Sequence, residues 1–195
     1  MSVEKAKGSG YHWGSHLPTL SGERVRLVAL YARDIPALFR VFSDPEVMRY
    51  WLTPPMRDES EAAEYLEKIQ EGFRTKTLFQ WGVNLDGAII GTCTLFELDF
   101  THRRGEIGYA LARAYWGRGL AKDALTALVD FAFTALELHR IEADVDPRNE
   151  NSIRLLERLG FCREGCQRER YIVGGEIQDA LLLGLLRPEW RRPTT

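Results

Sequence analysis

The run Glu106-Ile107-Gly108-Tyr109-Ala110-Leu111-Ala112-Arg113-Ala114-Tyr115-Trp116-Gly117-Arg118-Gly119-Leu120-Ala121-Lys122 decides how this chain folds. Its first part suits a strand from about Arg104 to Leu111. Its last part opens the longest amphipathic segment: Leu120, Ala124, Leu125, Leu128, Val129, Ala132, Phe133 and Leu136 recur at helical spacing and form one wide apolar face. A strand that feeds a helix through a glycine turn makes an anion site. The first backbone N–H groups of the helix have no internal acceptors, and the helix dipole adds positive potential there. Gly117 and Gly119 let the backbone approach a bulky pyrophosphate with no Cβ in the way, while Arg118 and Lys122 add charge. A plain strand-to-helix turn would use the same two glycines, so both readings stand at this point. A Rossmann fingerprint is excluded because its spacing places Lys122 where the third glycine belongs, and a P-loop is excluded because Gly-Lys-Ser/Thr is absent.

Outward from this stretch, the chain alternates short strands and helices. Upstream, Arg24 to Leu30 alternates like a strand, and Asp34 with Pro36 opens a helix through Phe42. The corner Thr53-Pro54-Pro55 separates it from a helix at about 58–73 with acidic residues in its first turn. Phe79 to Leu85 and Ala88 to Leu98 form a hairpin about Asp86-Gly87. Downstream, Arg140 to Val145 is a strand, and Asn149 to Leu159 is a helix closed by Gly160. Two last strands, near 161–171 and 176–186, join at Gly174-Gly175. The order β-α-α-β-β-β-α-β-α-β-β, with about seven strands and four helices, predicts an α+β domain around a mixed, mostly antiparallel sheet. Residues 1–18, rich in Gly, Ser and Lys, read as a flexible leader, with the domain spanning 19–195.

Composition narrows the class. Of the 195 residues, 45% are hydrophobic and 28% charged, which suits one ordinary globular domain. A net charge of -2 gives no footprint for nucleic acid. Three cysteines leave one unpaired in any disulfide scheme, and the four histidines are scattered, so neither a disulfide framework nor a metal site is expected. No apolar run approaches the ~18 residues a bilayer requires. Reduced thiols and the lack of a signal-like h-region point to a cytoplasmic protein with no membrane partner.

The segment Glu106–Leu111, followed by Tyr115–Ala121, resembles the acetyl-CoA motif of the GNAT N-acetyltransferase superfamily, nearest the ribosomal-protein N-terminal acetyltransferase (RimJ/RimL-like) branch. A second stretch, Asn149-Glu150-Asn151-Ser152 running on to Leu159-Gly160-Phe161, resembles that branch's Asn-x-x-Ser helix. The likeness covers roughly residues 22–190. It implies a single GNAT-like domain using acetyl-CoA as cosubstrate, with no metal. The cofactor would be held by Gly108, Tyr109, Ala110, Leu111, the Trp116-Gly117-Arg118-Gly119-Leu120-Ala121 turn, Asn149 and Ser152. Ala114 departs from relatives that carry Gln or Arg there and removes one such contact.

Acetyl transfer needs an uncharged amine, a polarised carbonyl and a proton for the leaving thiolate. An amine is mostly protonated at neutral pH, so a carboxylate must take its proton. Glu106 matches the position of the base in relatives, against the plain alternative of a surface charge on a strand. Backbone N–H groups in the Gly108–Leu111 region would hold the carbonyl oxygen. Many superfamily members protonate the thiolate with a Tyr where this chain has Leu156; Ser152 is the substitute the branch implies, or else a first-turn residue without chemistry. Asn149 either touches the pantetheine arm or is only the N-cap. Trp51 beside the proline corner, with Glu106 and Tyr171, would line the acceptor pocket. The acceptor is a protein N-terminal amine or a small amine such as an antibiotic or polyamine, the enzyme a monomer or homodimer. A non-catalytic acyl-CoA sensor is the competing class.

Overall fold

Phe79, Trp81 and Val83 alternate with polar or small neighbours, and they set the centre of one eight-stranded sheet. The computed structural model describes residues 11–192. In chain order the strands are β1 (Leu20–Ser21), β2 (Arg26–Val28), β3 (Leu78–Leu85), β4 (Ala88–Asp99), β5 (Arg104–Leu111), β6 (Arg140–Val145), β7 (Cys162–Val173) and β8 (Glu176–Leu186). The helices are α1 (Ile35–Phe42), α2 (Pro45–Met48), α3 (Glu59–Thr75), α4 (Leu120–Thr134) and α5 (Glu150–Arg158). The sheet order is β1-β2-β3-β4-β5-β6-β8-β7, and only β5 and β6 run parallel. Each expected strand and helix is present. Beyond the expected seven strands and four helices stand β1 and α2, of two and four residues, too short for any periodicity to announce them.

The alternation divides the core in two. Odd-numbered residues of the central strands (Phe79, Trp81, Cys93, Leu95, Ile107) bury with α4 and α5 on one face of the sheet. Helices α1 to α3 cover the other face with Leu38, Val41, Phe42, Leu66 and Ile69, against Ile89 and Ala110. Leu125 and Leu128 of α4 are fully buried, so truncating either to Ala costs about 2–5 kcal/mol. Asp34 precedes α1 as expected, yet its carboxylate accepts from Tyr31 N–H at 2.9 Å and closes the preceding turn. Asp58 caps α3 by accepting from the N–H groups of Ser60 and Glu61. Lys76, in the left-handed conformation, ends that helix.

The expected leader needs revising in its second half. Residues 1–10 lie outside the described residues. Trp13, however, stacks on Phe79 with ring centroids 4.1 Å apart, Leu17 is buried, and Trp81 Nε1 donates to the Pro18 carbonyl at 2.8 Å. Aromatic burial there outweighs the local Gly and Ser content. Among the described residues no helix is long and apolar enough to cross a membrane.

Candidate active site

Strand β5 ends at Leu111, and the chain passes through Ala112 and a single 3-10 turn (Arg113–Tyr115) before the glycines. The exposed Ala114 lies in that turn. Trp116 Nε1 donates to the Leu111 carbonyl at 2.7 Å, pinning the turn to the end of the strand. Gly117 and Gly119 have φ of 71° and 75°, a region that other residues enter only with strain. A Cβ on either would meet nothing within 4 Å, so these glycines serve conformation and an open approach rather than packing. Gly119 is the N-cap of α4 with no side-chain cap, and the Asp123 N–H is bonded to the Gly119 carbonyl at 3.1 Å. The N–H groups of Leu120, Ala121 and Lys122 therefore find no acceptor within the helix, a geometry that can receive an anion.

Asp123 would oppose an anion at this helix start were its charge not engaged elsewhere. Its two oxygens accept the backbone N–H groups of Glu23, Arg24 and Val25 at 2.7, 2.7 and 2.9 Å. Gly22 makes this possible, since a Cβ there would lie 2.5 Å from Asp123 Oδ1. Arg24 then reaches the Arg118 carbonyl at 2.7 Å, which ties the start of the domain to the cradle.

Beside the cradle the sheet opens. The β5–β6 ladder pairs Arg104 with Arg140, Gly105 with Ile141 and Glu106 with Glu142, and goes no further. Beyond that point β4 still pairs β5 as far as Leu111, while β8 pairs β6 as far as Val145. Alternate backbone N–H and C=O groups of Ile107–Leu111 consequently point into a gap instead of across a ladder. Strand alternation then sorts the side chains. Glu106, Gly108 and Ala110 point to the α1–α3 face; Ile107, Tyr109 and Leu111 point to the α4–α5 face. A molecule threaded through the gap is what both sets can touch.

On the first face the Glu106 carboxyl is pushed up from its ordinary 4.5 to about 7. Burial is the main cause, followed by repulsion from Asp144, Glu142 and Glu97, with Arg170 opposing. Two of these acids are paired with arginines, while the exposed Glu97 forms no ion pair among the described residues. Glu142 takes Arg104 at 3.1 Å and Arg140 at 2.7 Å, and Asp144 takes Arg170 at 3.1 Å. Among the described residues no hydrogen bond reaches the Glu106 carboxylate. Tyr171 O–H donates to Asp144 Oδ2 at 2.7 Å, so Tyr171 stands on this face next to Glu106. A bulge in β7 between Gln167 and Tyr171 aims it there, with Glu169 at φ 55° and its N–H held by Asp179 at 2.8 Å. Trp51 is half-buried on the same face, edge-on to Phe42 at 5.4 Å, as part of the α1–α3 cluster. Arg170 and Asp144 escaped the sequence reading, because their partners lie on another strand and no local pattern marks them.

On the second face Tyr109 and Ser152 share a hydrogen bond of 2.6 Å between their hydroxyls. Burial pushes the Tyr109 phenol above its usual range, so it keeps its proton at neutral pH. Asn149 is the N-cap of α5, with Oδ1 accepting the Ser152 N–H at 3.2 Å. Leu156 is fully buried in the core, away from any chemistry. The cysteines are one buried (Cys93) and two exposed thiols (Cys162, Cys166), all free.

The sheet thus opens between its two parallel strands beside a glycine turn at a helix start. Residues 24–162 match the model of the acetyltransferase (GNAT) domain, and the chain belongs to that family. It is 37% identical over 178 residues to the uncharacterized N-acetyltransferase p20 of Bacillus licheniformis, covering 89% of this chain and 99% of that one. RimJ of Mycobacterium smegmatis, solved in complex with CoA-disulfide, superposes with a TM-score of 0.82 at 27% identity, covering 88% of each chain. The spermidine N-acetyltransferase of Vibrio cholerae, solved with CoA and spermine, gives 0.76 at 26% identity, covering 85% of this chain and 97% of that one. The chain is an acetyl-CoA-dependent acetyltransferase, with acetyl-CoA as its cosubstrate.

Proposed function

We propose that this enzyme acetylates a primary amine by direct transfer in the gap between β5 and β6, with Glu106 as the base. The observation that carries this reading is the Glu106 carboxyl itself, poised at about 7 where the ladder ends. A base is most useful when its pKa lies near the working pH. The N–H groups of Leu120, Ala121 and Lys122 would hold the pyrophosphate, with Arg118 and Lys122 adding charge. Backbone N–H groups of Ile107–Leu111 that face the gap would hold the thioester oxygen. Glu106 takes the amine's proton, the nitrogen bonds to the acetyl carbon, and the C–S bond breaks. Ser152 offers its O–H to the departing thiolate.

The acceptor we favour carries a single positive charge, as a protein N-terminus does, rather than a polyamine. Glu142 and Asp144 are paired with Arg104, Arg140 and Arg170, which among the described residues leaves Glu97 as the one unpaired acid near Glu106 for a second ammonium. Tyr171 and Trp51 would frame the acceptor. Three reduced thiols suit a cytoplasmic setting. The test is thiol release from acetyl-CoA with N-terminal peptides and with spermidine. We expect kcat/KM at least 10-fold higher for a peptide, and Glu106→Gln to lower kcat about 100-fold or more. Faster turnover of spermidine would reject the acceptor assignment. No turnover of any amine, with acetyl-CoA bound normally, would favour a sensor.

A further inference from the structure

Two hydroxyls that share one hydrogen bond carry two protons, so one proton is left to point elsewhere. Tyr109 and Ser152 form such a pair, 2.6 Å apart, and among the described residues neither hydroxyl has another hydrogen-bond partner. Their surroundings decide which proton is free. Tyr109 packs against the main core under α4 and α5, and an O–H turned away from Ser152 would be a buried donor without an acceptor. Ser152 is half-buried in the first turn of α5, with its backbone N–H already given to Asn149. Its hydroxyl can point outward without loss.

We propose that Tyr109 is a positioning residue. By donating its proton to Ser152 Oγ, it turns the Ser152 O–H into the gap, toward the sulfur of the thioester. The inference rests on the reading of Ser152 given above and deepens it. Tyr109 sits on β5 past the last β5–β6 pair, so the strand that lines the gap also carries the group that aims the donor across it. A hydroxyl that accepts one hydrogen bond becomes a stronger donor in the next, which strengthens its hold on a thiolate. The balance is simple. The ammonium sheds two protons: the first passes by way of Glu106 to water before attack, and the second moves to Glu106 as the C–S electron pair leaves with sulfur and Ser152 hydrogen-bonds the thiolate. As products part, sulfur takes a proton from water and Glu106 returns one. Neither hydroxyl is consumed, and Tyr109 keeps its proton throughout.

The test compares Tyr109→Phe, Ser152→Ala and the double variant at saturating acetyl-CoA and peptide, with CoA affinity measured separately by calorimetry. We expect Tyr109→Phe to lower kcat about 5- to 10-fold, the worth of one hydrogen bond, with the acetyl-CoA KM within about 2-fold of wild type. Ser152→Ala falls further. The double variant is no slower than Ser152→Ala, because without Ser152 nothing remains for Tyr109 to aim. A packing role would move KM, CoA affinity and melting temperature together, and would multiply with Ser152→Ala. Either that pattern or an unchanged kcat in Tyr109→Phe overturns the proposal, as does wild-type turnover by Ser152→Ala. Should Tyr109→Phe not fold, Tyr109→Met, apolar and of similar volume, carries the same comparison. Failure of the wild-type enzyme on every amine, or full activity of Glu106→Gln, would instead reject the reading on which the inference rests.

Discussion

Glu106→Gln should lower kcat about 100-fold or more and at the same time stabilise the fold above neutral pH. In the folded protein the Glu106 carboxyl sits at about 7, whereas in the unfolded chain it returns to its ordinary 4.5. Between those two values the folded state holds more protons than the unfolded one, so stability falls as pH rises through that window. Below the lower value both states are protonated and the cost vanishes. Above the upper value the cost is complete. At ~1.36 kcal/mol per pH unit the interval bounds it at roughly 3 kcal/mol. Glu106 is half-buried rather than enclosed, and solvent screens its neighbours, so about 2 kcal/mol is the expected size. Gln has the shape of the protonated acid and no charge to desolvate. Urea denaturation at pH 5 and pH 8 reads the difference. The variant should exceed wild type by about 0.8 kcal/mol at pH 5 and by about 2 kcal/mol at pH 8, the latter some 5 °C in Tm for a chain of this size. Equal stability at pH 8, or a variant weaker than wild type there, would refute the claim that burial and like charge hold this carboxyl up.

The remaining expectations follow from the same geometry. The pH profile of kcat/KM should rise through an apparent pKa near 7 as Glu106 deprotonates, and Asp144→Asn should move that limb to lower pH, because it removes the strongest like-charge repulsion and releases Arg170 toward Glu106; a limb that moves upward or stays would contradict this. Gly119→Ala should cost about 1–2 kcal/mol through its left-handed φ alone, since no atom lies near the added Cβ, and should raise the acetyl-CoA KM more than it lowers kcat, as steady-state kinetics on the folded variant will show. Asp123→Ala strips three backbone N–H groups of their acceptor and should destabilise by roughly 2 kcal/mol, lowering CoA affinity measured by calorimetry as the Gly22–Val25 turn detaches from the cradle.

The sequence alone determined the order of the main elements and the glycine turn before α4, because the signals for these are local. Apolar residues every third or fourth position made α4 legible, and paired glycines before it marked the turn that starts it. Aromatic packing by Trp13 and the short β1 and α2 were not legible: the first depends on a distant Phe79, the others offer too few residues for a period. Only the tertiary structure decided what charges and protons do in the site. Asp123 is turned from a charge against the cradle into a support for it by backbone groups about a hundred positions away. The Glu106 carboxyl is raised by burial and by acids on strands β4 and β6, and the Ser152 hydroxyl meets that of Tyr109, 43 positions earlier, at 2.6 Å. Electrostatic and hydrogen-bond terms depend on separations of a few ångströms between residues far apart in the chain, and those separations exist only once the sheet has assembled.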